Sequence, residues 1–257
     1  MTMKSIEVAI LNPEALSESE KMMICAARMT QRGQQIKSMN DFMSLYNRPY
    51  GKNLVSDMVS LPHPTIQKLG VINVVIVGAS RRFLAQVTRH QNEVKFMSAS
   101  LQYSDYSGSA GFAIPYGVLA RGENEIDTYL ATCRYDMWQY ESAVECGLDN
   151  DSAGYMMPHS LRNVLLVSAT PYQWKHMIGQ RICRRNTDET RIVFLKIWRL
   201  LYEAMPEFFS IATTGPFCMR GSCKEGMMSC GKPVYATPGE LLKIDYPLLF
   251  EEVSHEG

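Results

Sequence analysis

The residues best equipped for chemistry in this chain stand at the ends of short segments. Leu84 to Ser104 reads LAQVTRHQNEVKFMSASLQYS, with Gln86, Arg89 and His90 near one end and Ser98, Ser100, Gln102 and Tyr103 at the other. Far downstream come Arg181, Arg184, Arg185, Glu189 and Arg191. The guanidinium fork is suited to phosphate or to a polarised carbonyl. A single arginine is more often a solvated helix face, and a single histidine a satisfied structural one, so the reading rests on the set. The formal net charge is zero, so no global field draws the chain to polymeric nucleic acid or an anionic membrane, and an anionic ligand must be held by local arginines. A GxGxxG loop, a Walker loop, HExxH, GxSxG and CxxC are all absent.

The elements that must position these groups follow from pattern. Val71 to Val77 (VINVVIV), between Gly70 and Gly78, predicts a buried strand, and Ser80 suits the N-cap of a helix through Phe83, Leu84 and Val87. Continued past Val87, that helix puts Gln86 on one face with Arg89 and His90. Ser17 and Glu20 fit a capping box for a helix from Ser17 to Thr30. A long helix is expected over Glu125 to Cys146, a strand over Arg162 to Ala169, a helix from Pro171, and a last helix over Asp188 to Ala204. At 257 residues and 46% hydrophobic, the chain can build one sizeable core. The expected fold class is α/β (α+β), a central sheet flanked by long helices, with residues 1–215 as one catalytic domain and a Cys/Gly-containing tail, 216–257, packed on it. No run approaches the ~18 apolar residues of a membrane span and no signal peptide is evident, so a soluble, cytoplasmic protein is expected.

Two motifs carry a family resemblance. GASRRFLAQVTRH, followed by a Ser-x-x-Tyr, resembles the GxSRxxxxQxxRHR signature of the flavin-dependent thymidylate synthases, and WKHMIGQRICRRNTDETR resembles their WxHFxxxRxCxxAQxEIR. His63 and Thr65 are similar to the family's HxT/S segment, and AARMT at Ala26 to its early AARxC helix, so the likeness runs from Ala26 to Cys230. It implies a homotetramer with active sites between subunits. The implied reaction moves a one-carbon unit from methylenetetrahydrofolate to C5 of dUMP and reduces it to methyl, with FAD as cofactor and NADPH as reductant. Gln86, Arg89, Ser100, Leu101, Gln102 and Arg191 would then meet the pyrimidine nucleotide, and His63, Thr65, Arg89, His90, Gln91 and Arg181 the flavin or folate. Arg191 would be the catalytic group: for C5 to act as a nucleophile the ring must carry negative charge, which a fixed guanidinium stabilises.

The sequence departs from the family at the third residue of RHR, which is Gln91, and the spacer to Ser100 is one residue longer. Gln102 and Gly154 stand where arginines are expected, Lys68 where an acid is, and Asn186-Thr187-Asp188-Glu189 replaces AQxE. Three functions therefore stand side by side: dTMP synthesis, C5 methylation or hydroxymethylation of another pyrimidine nucleotide such as dCMP, and a catalytically silent flavin or nucleotide binder. In the tail, Cys218, Cys223 and Cys230 are separated by four and six residues, and Cys183 could complete a tetrahedral zinc site. Reduced thiols on a lid, or a disulfide formed on oxidation, are the other readings of the same residues. Cys25, Cys133 and Cys146 read as small core residues.

Overall fold

A computed structural model describes residues 2–61, 64–108, 111–219, 221, 223–231 and 249–252. Its centre is a four-stranded sheet of β2 (Glu7–Ile10), β3 (Ile72–Ser80), β4 (Val94–Ser98) and β5 (Arg162–Ala169) in the order β2-β3-β5-β4, antiparallel throughout. A separate pair joins β1 (Thr2–Ser5) to β6 (Leu249–Glu252). The helices are α1 (Glu14–Arg32), α2 (Met39–Tyr46), α3 (Lys52–Ser60), α4 (Arg81–Val87), α5 (Tyr116–Leu119), α6 (Glu123–Glu145), α7 (Asn150–Ala153), α8 (Pro171–Arg181) and α9 (Asp188–Ala204).

Sequence and packing agree most closely at the centre. Ile72, Val74 and Ile76 of β3 are completely buried, whereas Asn73, Val75 and Val77 between them are only half-buried. The expectation of a wholly buried strand is corrected here: β-branched side chains fit either face of a pleated strand, so composition did not show that the sheet is covered more heavily on one side. Against the covered side lie α1, α3, α8 and α9. Trp174 and Trp198 are both at 0% exposure and donate their indole N–H to Ile72 O and Phe209 O. A second apolar cluster gathers Leu130, Cys133, Met137 and Tyr140 of α6 with Phe112 and Leu161.

Three local expectations change. α1 begins at Glu14 with Pro13 at the cap position, and Ser17 turns its hydroxyl back to Glu14 O inside the helix, so the Ser17/Glu20 capping box does not form. β4 was hidden in the motif segment: Val94, Phe96 and Ser98 are half-buried while Lys95 and Met97 face solvent, an alternation blurred in sequence by the exposed Met97. The helix after Ser80 stops at Val87, so Arg89 and His90 lie beyond it and share no helical face with Gln86. The cap itself is as expected, with Ser80 Oγ accepting from Phe83 N at 3.0 Å.

Thr170 caps α8, its Oγ1 accepting from Gln173 N at 3.3 Å, and Pro171 supplies the preset first turn. Thr170→Ala is expected to cost about 1 kcal/mol, read as a lower urea midpoint with unchanged slope.

Candidate functional site

The two motifs meet where α4, α8 and α9 converge. Arg181, at the end of α8, donates from Nε to His90 Nε2 at 2.8 Å, from Nη2 to the Gln86 carbonyl at 2.8 Å and from Nη1 to Asn186 Oδ1 at 3.4 Å. His90 is 7% exposed and its ring sits edge-on to His176 at 6.0 Å. Burial first, then the charge of Arg181 and the neighbouring His176, push its pKa from 6.5 down to about 4. His90 is thus a neutral imidazole whose Nε2 accepts and whose proton is on Nδ1.

Gln86 is fixed as tightly. Its Oε1 accepts from Thr190 Oγ1 at 2.6 Å and Thr187 Oγ1 at 3.2 Å, which leaves its Nε2 without a bond among the described residues. Thr187 caps α9 and Thr190 is completely buried, so the amide is held by the first turn of the helix that carries Arg191. Arg191 places Nη1 3.4 Å from Asp188 Oδ1, with 13% of its side chain exposed. Arg89 and Gln91 are exposed, and Arg89 makes no ion pair among the described residues.

Ser100, Leu101 and Gln102 lie apart from that cluster. They line a surface cavity of about 630 Å³ with Arg81, Asp151 and Gly154. Ser100 Oγ accepts from Gln102 N at 3.1 Å and Tyr103 N at 3.3 Å, shaping the loop. Gly154 has an ordinary helical φ, and a Cβ there would stand 3.5 Å from Leu101 Cβ, an ordinary contact, so nothing in the backbone demands glycine. Arg81, which sequence reading did not single out, is the arginine of this cavity. Half-buried, it spends one bond on Ala99 O at 2.9 Å and makes no ion pair among the described residues, and burial lowers its pKa. The signal in the sequence was its place after Ser80, where it matches the arginine of the GxSR phrase.

Other candidates fall elsewhere. His63 lies outside the described residues, and Thr65 is exposed on a one-turn 3-10 helix. Lys68, at the acidic position of the motif, pairs with Glu93 at 2.7 Å. Glu189 accepts from Ser80 N at 2.7 Å and from Ser80 Oγ at 2.6 Å; its burial raises its pKa against those bonds and the charge of Arg82. It lines a cavity of about 580 Å³ with Arg82, Tyr129, Asp136 and His159, which contains none of Gln86, Arg89, His90 or Arg181. The four candidate metal cysteines, 183, 218, 223 and 230, share one cavity, although among the described residues no three His, Cys, Asp or Glu side chains already stand in ligand geometry. No described helix is long and apolar enough to cross a membrane.

This architecture matches solved structures. The UMP/dUMP methylase PolB from Streptomyces cacaoi, bound with 5-Br dUMP, superposes with a TM-score of 0.63 at 14% identity, over 81% of this chain and 92% of that one. Thymidylate Synthase X from Helicobacter pylori, with FAD and dUMP, gives 0.60 at 15% identity over 81% and 99%. At the sequence level, residues 14–207 match the family described as thymidylate synthase complementing protein, and the chain belongs to that enzyme family. The flavin-dependent thymidylate synthase of Geobacter sulfurreducens is 25% identical over 175 residues, 68% of this chain and 74% of that protein. That of Thermococcus onnurineus is 26% identical over 173 residues, 64% and 69%.

Proposed function

We propose that this chain transfers a one-carbon unit from methylenetetrahydrofolate to C5 of dUMP and reduces it to the methyl of dTMP, using FAD and NADPH. The observation that supports it most is the Arg181–His90–Gln86–Thr190 network, through which residues of both motifs interlock at the N-terminus of the helix bearing Arg191.

The residues present suit a flavin dinucleotide. Arg89 offers an exposed guanidinium with no ion pair among the described residues, His90 is neutral, and Arg181 is held rigid beside it. Arg89, His90, Gln91 and Arg181, with His63 and Thr65, would hold FAD, which when bound supplies the reducing equivalents for the methyl group. Gln86 orients the pyrimidine through its Nε2, because Thr187 and Thr190 fix its oxygen. Arg191 stabilises negative charge on the ring so that C5 can attack, and no cysteine nucleophile is needed.

Ser100, Leu101 and Gln102 line a cavity of the same chain that does not include Gln86. A nucleotide that meets both sets does so between subunits, so we place the active site across a homotetramer interface, in a cytoplasmic enzyme. Arg81 supplies the cation that Gln102 and Gly154 do not. Arg81→Met is expected to raise KM for the nucleotide about 10- to 100-fold, the loss of a charge-assisted bond of about 1.5–3 kcal/mol, with a smaller change in kcat.

Gln102 and Gly154 lining one cavity also favours a second reading, in which the acceptor is another pyrimidine nucleotide such as dCMP. The deciding assay is anaerobic, with FAD-loaded protein, NADPH, methylenetetrahydrofolate and C5-tritiated dUMP, run beside the same mixture with dCMP. Tritium release from dUMP with a dTMP-mass product is expected. Release only from dCMP, or a product heavier by an oxygen atom, moves the reading to a rebuilt acceptor pocket, and release from neither moves it to an untested acceptor or a silent binder.

A further inference from the structure

Four of the seven cysteines converge on one place. Cys183 sits in the turn after α8, and Cys218, Cys223 and Cys230 on the loop that follows Gly215. All four line a single cavity of about 260 Å³ together with Arg184, Arg185 and Glu225. None is in a disulfide, and each is partly accessible. By contrast Cys25 and Cys133 are buried in helices and Cys146 is exposed after α6.

The loop has little else to hold it. Among the described residues between Pro216 and Gly231 its regular structure is two one-turn 3-10 helices, Phe217–Met219 and Gly226–Met228. Its backbone bonds are short-range, such as Met219 N to Pro216 O and Met228 N to Glu225 O. Met227 is fully exposed and Met228 is 60% exposed, although Met219 packs against the main core at the start of the loop. A segment this size without a core is usually fixed by a cross-link or a metal.

We propose that Cys183, Cys218, Cys223 and Cys230 form a structural site for a thiophilic divalent cation, zinc, that clamps this loop to the end of α8. Four soft thiolates select zinc over magnesium or calcium, and four is the number a closed tetrahedral site needs. Binding releases the four thiol protons, and the resulting tetrathiolate complex carries two negative charges. Arg184 and Arg185 line the same cavity, neither makes an ion pair among the described residues, and together they balance that charge. Because no three of the donors yet stand in ligand geometry among the described residues, the thiols draw in from the walls as the ion binds. The walls can move locally: Gly221, Gly226 and Gly231 are left-handed turn residues, and no element of the loop exceeds one helical turn. The site also has a route to the rest of the fold, since Cys183, Cys218 and Cys223 line a neighbouring cavity of about 440 Å³ with Arg181 and Asn186.

This inference stands apart from the one-carbon reaction, and its test reads metal. The full chain, purified under reducing conditions without chelator, is measured for zinc by elemental analysis and for thiols by titration before and after a strong chelator displaces the metal. One zinc per chain is expected, with four thiols becoming reactive on displacement. Cys218→Ser combined with Cys223→Ser should lose the zinc, whereas Cys146→Ser should keep it. Cobalt added to metal-free protein should give the intense sulfur-to-metal charge transfer of a tetrahedral thiolate site, a readout that survives should the double variant fold poorly. A purified chain with no zinc and the four thiols reactive, one with a disulfide among the four, or one whose cysteines carry iron would each overturn the assignment.

Discussion

Arg191→Ala is expected to lower kcat about a hundred- to a thousand-fold, or about 2.7–4 kcal/mol of transition-state stabilisation. The argument starts from placement. Thr187 caps α9, Thr190 is completely buried against Gln86, and Arg191 follows in the next position with only 13% of its side chain exposed. A guanidinium held this way cannot relax toward solvent as charge grows on the ring, which is what makes a preorganised donor more effective than a mobile one. Asp188, 3.4 Å away and 42% exposed, steadies it without neutralising it in a dry site. The loss should fall on kcat more than on KM, because the interaction strengthens as charge develops. Single-turnover product formation, with far-UV circular dichroism to show the fold intact, is the measurement. Activity within ten-fold of the parent would mean that Arg191 does not face the reacting ring.

Lowering the pH from 7 toward 4 is expected to destabilise the protein by on the order of 3 kcal/mol through His90 alone, since its pKa falls from 6.5 unfolded to about 4 folded. The sign follows from the linkage. Between those values the unfolded chain binds the proton more readily, so the contribution is fully present above pH 6.5 and is lost as pH falls through about 4. Burial is the main cause, and Arg181 and His176, the charged and titratable groups that face the ring, act in the same direction. Asp41, Asp105 and Asp149 also have lowered pKa values and add to the acid limb, so the comparison needs a variant. His90→Gln keeps an acceptor for Arg181 and removes the titration. Urea unfolding at pH 7 and pH 4.5 should show a clearly smaller pH-dependent loss in His90→Gln than in the parent. Equal losses would place His90 in a solvated setting.

The legible parts of this protein were those in which short-range pattern and long-range packing ask for the same thing. Asp188 to Ala204 and Arg162 to Ala169 were read to the residue, because Thr187 caps the one and the apolar run Val164 to Val167 centres the other. β4 was not read, because the exposed Met97 disguises its alternation. The same limit explains α4: Thr88 closes the last helical turn by donating to Leu84 O, and nothing local announces that His90 will be drawn inward by Arg181, 91 residues away.

By itself the sequence determined the family, since motif spacing is a property of the chain alone, and it named the candidate site residues. The Ser80 cap of α4 was legible too, because it lies within three residues of the amide it satisfies. Only the tertiary structure decided which of those residues act together. Gln86, His90 and Arg181 became one network and Ser100 to Gln102 part of another cavity, Arg81 took a place among the nucleotide candidates, and four distant cysteines came to share a cavity. The physical reason is that desolvation and pairing depend on neighbours brought from far along the chain. A guanidinium is a surface charge or a binding group according to what packs over it.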